Sequence, residues 1–461
     1  MKKNILNISL FFIVLSIYTF LGNANTIYSF LLSLLILWIV CKVFEFYLKM
    51  NGVLWQVALP SYLVLSIIGL LLIINYRMLY SHDFAPYGDD SFYYQQIIKL
   101  YNNIPTIKQP TFFEYFMVLW YNILTIIYDS PKIIDIITLN WAIGAFVGSL
   151  IIAVIKKISV ISMPYWIIML AFLGNSIITD SLCNFYRDGL MLVMYLLAIL
   201  SSIKKDYFIA IIFAIICGAI RVANGGFALL AIMLIYMSRT KNYTKNKYKP
   251  ILLGLMAMIL ILTVDNYIHL GTYLRVIQSD TQKTTIVEQS INRSKVMYDI
   301  SDPKTSENTV SKLFHSGPLG WLAMPVVVAF APFRFISPIQ PLEAHIKGFK
   351  NILVVGLSPR VIWSYFTIIF WVIISPRIIS GILVSFRARD IRFAIFQLFI
   401  ISLLAITFIS FQTRHRLLFL IWYPLFINLS VGKNSLGKSK ILVLRVLVFL
   451  GIILVNRNFM F

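Results

Sequence analysis

Acid is the scarcest chemistry in this chain. Of 461 residues only 18 are Asp or Glu, against 40 Lys or Arg, and charged residues together make up 13%. Cysteine offers little: Cys41, Cys183 and Cys217 have no paired spacing for a disulfide or a zinc site, and the five histidines are scattered. No internal repeat and no low-complexity segment is evident. With so little charge, 59% hydrophobic residues and a mean hydropathy of +0.84, a soluble domain is excluded.

What the chain has instead is long apolar runs, repeatedly able to cross about 30 Å of hydrocarbon as helices. Windows of about 19 residues predict spans at Ile5–Leu21, Ile27–Cys41, Leu54–Asn75, Ile133–Ile155, Val160–Thr179 and Gly189–Ile203. Further spans are predicted at Tyr207–Val222, Phe227–Met237, Pro250–His269, Ile352–Ile374, Phe393–Phe411, Leu417–Val431 and Ile441–Val455. Tyr207–Met237 also fits a hairpin of tilted or half-depth helices. The expected fold is all-α, a polytopic transmembrane bundle of thirteen spans forming one domain over residues 1–461. Met1-Lys2-Lys3 with the apolar run behind it resembles a signal peptide, with Gly22-Asn23-Ala24 as a weak cleavage site. A retained first span is preferred because a second apolar run starts at Ile27, and either reading leaves the N-terminus cytoplasmic.

Charge decides which apolar stretches cross. If Phe112–Tyr128 and Pro318–Phe333 stay out of the count, the cytoplasmic loops collect Lys42, Lys49, Lys156, Lys157, Lys204, Lys205, the Arg239–Lys249 cluster, Arg387, Arg389 and Arg392. Only Glu45, Asp206 and Asp390 accompany them. The net charge of +22 is then the positive-inside signal of a membrane protein, and no nucleic-acid partner is needed to explain it. Phe112–Tyr128 reads as an interfacial helix. Pro318–Phe333, punctuated by three prolines, reads as re-entrant. Two large outer loops follow, residues 76–132 and 270–351, so the chemistry is expected on the outer face.

The first outer loop holds the sharpest signal, Gly88-Asp89-Asp90, followed by a helical pattern in Tyr93, Ile97, Leu100 and Tyr101. One aspartate suffices to cap that helix; the second is a candidate general base. Cations recur at predicted outer span ends: Arg187, Arg221, Arg334, Arg360, Arg414 and Arg416. They run against the positive-inside bias, and guanidinium forks match phosphate oxygens. Taken singly, each is as well explained by snorkelling or by pairing with Asp180, Asp188 or Asp265. The Gly225-Gly226 pair after Arg221 fits either a ligand's approach to the backbone or a plain hairpin turn. The polar segment Leu270–Gly317 has the length of a lid or binding loop.

Arg77, Gly88-Asp89-Asp90, Tyr93-Tyr94, Tyr186-Arg187-Asp188, Lys204-Lys205, Arg221, Phe333-Arg334-Phe335 and Arg414-His415-Arg416, in this order, resemble the layout of bacterial surface-polysaccharide (O-antigen and exopolysaccharide) polymerases. The acidic first outer loop is similar as well to that of GT-C glycosyltransferases using lipid-phosphate sugars, though there the acid follows the first span and here the third. The resemblance implies a sugar or repeat unit transferred from a polyprenyl phosphate or diphosphate carrier to a glycan acceptor in the bacterial cytoplasmic membrane, and allows other polysaccharide-assembly proteins as partners. It places Asp89 or Asp90 at the acceptor and Arg187, Arg221, Arg334, Arg414 and Arg416 near the diphosphate. No cofactor is required on this reading; a divalent metal on Asp89 and Asp90 is an option that nothing selects. A transporter or flippase of lipid-linked glycans is the alternative expectation.

Overall fold

In a computed structural model the chain is described over residues 2–20, 24–80, 83, 89–106, 110–161, 163–239, 359–409, 417–431 and 441–447, with isolated positions between 317 and 325. All regular structure among the described residues is helical. In chain order the helices are α1 (Lys2–Phe20), α2 (Ala24–Leu48), α3 (Val53–Tyr80), α4 (Asp89–Tyr101), α5 (Phe112–Ile127) and α6 (Ile133–Ile158). Then come α7 (Tyr165–Leu173), α8 (Ser176–Cys183), α9 (Asp188–Lys204), α10 (Tyr207–Ile220) and α11 (Val222–Met237). The last are α12 (Pro359–Arg387), α13 (Ile391–Ile409), α14 (Leu417–Leu420) and α15 (Tyr423–Ser430). Asn25–Leu48, Val53–Arg77, Ile133–Ile158 and Ile369–Arg387 are long and apolar enough to cross a membrane, and α7 with α8 adds a fifth if the bent pair is one span. The predicted span at Pro250–His269 and the re-entrant stretch at Pro318–Phe333 lie outside the described residues, as does most of the second outer loop.

α6 is the axis of the bundle. It is apolar all round and buried from Ile133 to Ile155, as a helix with no polar face must be unless lipid covers it. Small residues let neighbours close in: Gly144 faces Leu65 and Leu182, and Gly148 faces Met169 and Phe172. α3 runs antiparallel along it. Near the start of α3, Ser149 Oγ donates to the Leu54 carbonyl at 3.1 Å, and further on Gly69 sits under Trp141, where a Cβ would come within 2.6 Å of Nε1. α1, α2 and α10 turn Phe12, Trp38, Phe46, Phe208 and Ile215 outward, which suits a lipid-facing rim.

Two breaks shape the site. Val160–Thr179 is predicted as one continuous span, but the chain forms α7 and α8 at 81° to one another. The cause is local: Asn175 caps α8, its Oδ1 accepting from the Ile177 N–H at 3.0 Å, so the helix restarts in a new direction. The freed carbonyls are satisfied by hydroxyls, Gly174 by Thr367 at 2.8 Å and Leu173 by Thr179 at 2.7 Å, which is what makes a broken helix tolerable away from water. The second break is a single residue, Arg221, in extended backbone between α10 and α11. Tyr207 and Tyr236 stack edge-on at 5.4 Å at the other end, so the two helices form the expected hairpin. At 14 and 16 residues each spans about 21 to 24 Å, short of the hydrocarbon thickness. Gly225 is not in a turn. It lies inside α11, where a Cβ would meet Gly218 Cα at 2.5 Å, so the pair is explained by close helix crossing.

Several of the described basic residues gather at one end. Tyr47 at the foot of α2 donates to Asp206 and accepts from the Ser201 hydroxyl, each at 3.1 Å, and carries Lys204 over its ring at 3.6 Å. Arg239 donates to the Tyr207 hydroxyl at 2.9 Å and to the Ile203 carbonyl. Asn428 reaches Ser159 Oγ at 3.1 Å just past Lys156 and Lys157. α4 and α5 sit at the opposite end. α5 has 16 residues, about 24 Å, with Phe113, Met117, Trp120 and Leu124 inward and Tyr115, Leu119 and Ile126 outward, the pattern of an interfacial helix.

All three cysteines are buried, so introduced thiols report with little background. With the basic end cytoplasmic, Asn103→Cys, exposed after α4, should react with an impermeant maleimide added to spheroplasts, and Lys157→Cys should react only after permeabilisation. Equal labelling of both from outside would contradict the separation of the two ends.

Candidate functional site

The end of the bundle opposite the basic one gathers three of the residues singled out by sequence. α8 ends at Cys183, and the link Asn184–Arg187 carries the chain to α9. Asn184 closes α8, its side-chain amide donating to the Asp180 carbonyl at 2.9 Å, while Trp141 Nε1 on α6 donates to the Cys183 carbonyl at 2.9 Å. The link is therefore pinned from two sides. Asp90, in the first turn of α4 and only 3% exposed, accepts the Phe185 backbone N–H at 2.5 Å. A carboxylate near a helix start relieves that helix's own dipole, but this bond reaches across to another helix link and docks α4 on the core.

One turn along α4, the Tyr93 ring lies 6.0 Å from the Arg187 guanidinium carbon, at the outer limit of a cation–π contact. Phe113 of α5 meets Tyr93 at 5.5 Å and Phe185 at 5.8 Å. Arg187 Nη1 donates to the carbonyl of Ile220 at 3.3 Å, which brings the α10–α11 break to the start of α9. Arg221, the next residue, pairs with Asp188 at 3.3 Å. The Asp188 side chain is 2% exposed and that of Arg221 18%. Asp188 Oδ2 and Asn140 Oδ1 are both buried without a hydrogen-bond partner among the described residues.

Between α3, α4, α6 and the α8–α9 link lies a cleft bordered by Tyr76, Asp83, Asp90, Asn184 and Phe185. Its volume is about 10 Å³, the room of one water molecule. Asp83 is held in an ion pair with Arg77. Burial pushes the neighbouring Tyr94 hydroxyl above its ordinary value, and Tyr121, Asp135 and Asp83 push it the same way, so it stays a neutral phenol.

Asp89 is the first residue of α4, and its side chain is not described; the same holds for Arg360 in α12. Arg334, Arg414 and Arg416 lie outside the described residues. Sequence reasoning treated Asp188 only as a pairing partner for arginine and passed over Asn140. Asp188 had a signal, being an acid flanked by an arginine at a helix start; Asn140, in the middle of an apolar run, had only its rarity there. Among the described residues no group of three or more His, Cys, Asp or Glu is placed to hold a metal. No family model, no curated protein and no solved structure matches this chain.

Removing one partner of the Asp188–Arg221 pair strands the other's charge. Asp188→Asn should lower stability by about 3 kcal/mol, toward the low end for a buried pair because Arg221 keeps some exposure. The double variant Asp188→Asn/Arg221→Gln should cost less than the two single changes added together. Thermal unfolding in detergent measures both, and strict additivity would show that the two side chains do not interact.

Proposed function

We propose that this chain is an integral membrane glycosyltransferase that extends an envelope polysaccharide by transfer from a polyprenyl phosphate or diphosphate carrier. The observation that carries the reading is the convergence of Asp90, Arg187 and Arg221 at the end away from the basic loops, from positions 34 to 131 apart in sequence. Such a transfer needs little machinery. An aspartate takes the proton of the acceptor hydroxyl, the hydroxyl oxygen bonds to the anomeric carbon, and the bond from that carbon to the carrier phosphate breaks. The electron pair leaves on the phosphate, whose charge arginines neutralise. The N-termini of α9 and α11, beside Arg187 and Arg221, add partial positive charge on the same side.

The full reading has the thirteen predicted apolar segments, with Tyr207–Met237 as a hairpin and Val160–Thr179 as a bent pair, a cytoplasmic N-terminus and outward-facing loops at 76–132 and 270–351, in the bacterial cytoplasmic membrane. Arg334, Arg414 and Arg416 complete the diphosphate site from the later half of the chain. Because the cleft beside Asp90 admits only a water, a saccharide enters when α4 moves away from the α8–α9 link. The second reading, a transporter or flippase of lipid-linked glycans, is favoured by one feature: the broken α7–α8 pair is the kind of discontinuous helix that lines transport pathways.

Asp90→Asn separates chemistry from structure, because asparagine keeps an oxygen to accept the Phe185 N–H but cannot take a proton at neutral pH. Glycan extension from a lipid-linked donor should fall by roughly 10²–10⁴-fold in Asp90→Asn or Asp89→Asn, with the protein still accumulating in the membrane. Normal extension in both single variants and in the double variant would remove the base from this loop. Translocation of the donor without any new glycosidic bond would establish the transport reading.

Arginine forks give a second test. Lysine keeps the charge and the stem but loses the bidentate geometry, so it replaces a snorkelling arginine well and a phosphate ligand poorly. Among Arg187→Lys, Arg221→Lys, Arg334→Lys and Arg414→Lys, at least two should weaken donor binding and turnover. Wild-type donor affinity in all four would count against an arginine-lined diphosphate site.

A further inference from the structure

The peptide group between Asn184 and Phe185 is held at both ends by side chains from two other helices. Its N–H is the one that Asp90 of α4 accepts at 2.5 Å, and its carbonyl accepts from Asn140 Nδ2 of α6 at 2.5 Å. In a trans peptide the N–H and the C=O point to opposite edges of one plane, so α4 and α6 grip this unit from opposite sides. Ile137, one turn before Asn140 on α6, lines the cleft together with Asp90 and Asn184. Asn140 therefore backs the surface on which α4 docks.

Stability alone does not account for this bond. Asn140 is buried within an apolar helix, and its Oδ1 has no hydrogen-bond partner among the described residues. That oxygen lies beside Gly189, 3.8 Å from where a Cβ would stand, a residue with no side chain to offer it a donor. A buried amide with one half unsatisfied offsets much of what its bond contributes. The link also has other ties. The Asn184 carbonyl accepts the Tyr186 N–H at 3.0 Å, the Asn184 amide closes α8, and Trp141 already joins the preceding carbonyl to α6. What the Asn140 bond supplies is direction. It restrains rotation of the peptide, and a carbonyl polarised by Asn140 makes the N–H of the same unit a stronger donor to Asp90.

We infer that Asn140 is a positioning residue for the docking of α4: it aims the Phe185 N–H at Asp90, and so sets how often α4 leaves the core to admit an acceptor saccharide. The role in admitting a saccharide rests on the transfer proposed above; the docking role does not. With α4 docked, Asn140, the peptide and Asp90 form one line of hydrogen bonds across the α8–α9 link. Without the amide at its far end, the closed state loses part of its stability and the open, binding-competent state gains population.

The test is Asn140→Leu, which removes the amide at nearly constant shape, in the full chain in nanodiscs. Hydrogen exchange read by mass spectrometry should quicken by about two- to tenfold, the equivalent of one hydrogen bond, at the Phe185 amide and along α4, with the middle of α6 and of α9 unchanged. In glycan extension the KM for the acceptor should fall by a similar factor while kcat holds. Trp141→Phe removes the neighbouring bond, to a carbonyl outside the peptide that Asp90 touches, and should leave that KM unchanged. Asn140→Ala lacks the same amide and carries the test if the leucine variant does not accumulate. Unchanged exchange at Phe185 and α4 overturns the inference whatever the activity. A lower kcat at unchanged KM, the mark of lost folded protein, overturns it as well, and so does Trp141→Phe matching Asn140→Leu. Faster exchange in a chain whose wild type forms no glycosidic bond upholds the docking role and removes the transfer reading instead.

Discussion

Hydrocarbon has no water to offer a stranded polar group, and the layout of this chain follows from that constraint. Unbroken helices satisfy nearly all of their own backbone, which is why α3 and α6 can be long. Where α7 and α8 break inside the bundle, side chains take up the freed groups. Asn175 and Thr179 do so locally at the α7–α8 break, and Thr367 does so from α12, almost two hundred residues away in sequence. The same constraint acts at the α8–α9 link, where the Phe185 N–H, left over by the end of one helix, is taken by Asp90 from another. Polar residues in this protein are few, and the well-placed ones stand at the ends of helices.

That rule explains how much could be read beforehand. Helical character was legible because hydropathy is a property of local sequence. The sequence predicts Tyr207–Val222 and Phe227–Met237 as two spans and leaves the hairpin as an alternative; it is the hairpin that forms. Asp90, Arg187 and Arg221 were legible as individuals because charge is conspicuous among apolar residues. Their mutual contacts were not, since these depend on α8 leaving α7 at 81°. The bend hinges on Gly174-Asn175, two residues that leave little mark on a 19-residue average. Asn140 was illegible for the opposite reason: a lone asparagine in an apolar run carries no spacing, and its role shows only where its amide meets the Asn184 carbonyl.

The acid–base arrangement around Arg221 also bears on how an anion would be received. Arg221 is already neutralised by Asp188, and Arg187 is committed to a carbonyl and an aromatic face. Arginines left unpaired in such a place would carry a large desolvation cost in the empty protein. Held by Asp188, Arg221 is kept in place at lower cost, and on the proposed reading a diphosphate would compete with a carboxylate for a fork already in position. The orphan Asp188 Oδ2 would then be the oxygen best placed to take up a hydroxyl donor from the ligand.

The docking of α4 imposes a coupling between entry and chemistry. Asp90 is the candidate base and also the residue that fastens α4 to the core through the Phe185 N–H. With that bond closed, the cleft has space for a water and the carboxylate is engaged. Opening it frees the carboxylate, widens the cleft and loosens Tyr93 from Arg187, because all three contacts run through the first turns of one short helix. A single displacement of α4 would thus expose base and cation together, so that an acceptor hydroxyl meets a free carboxylate only when the arginine beside it is also accessible.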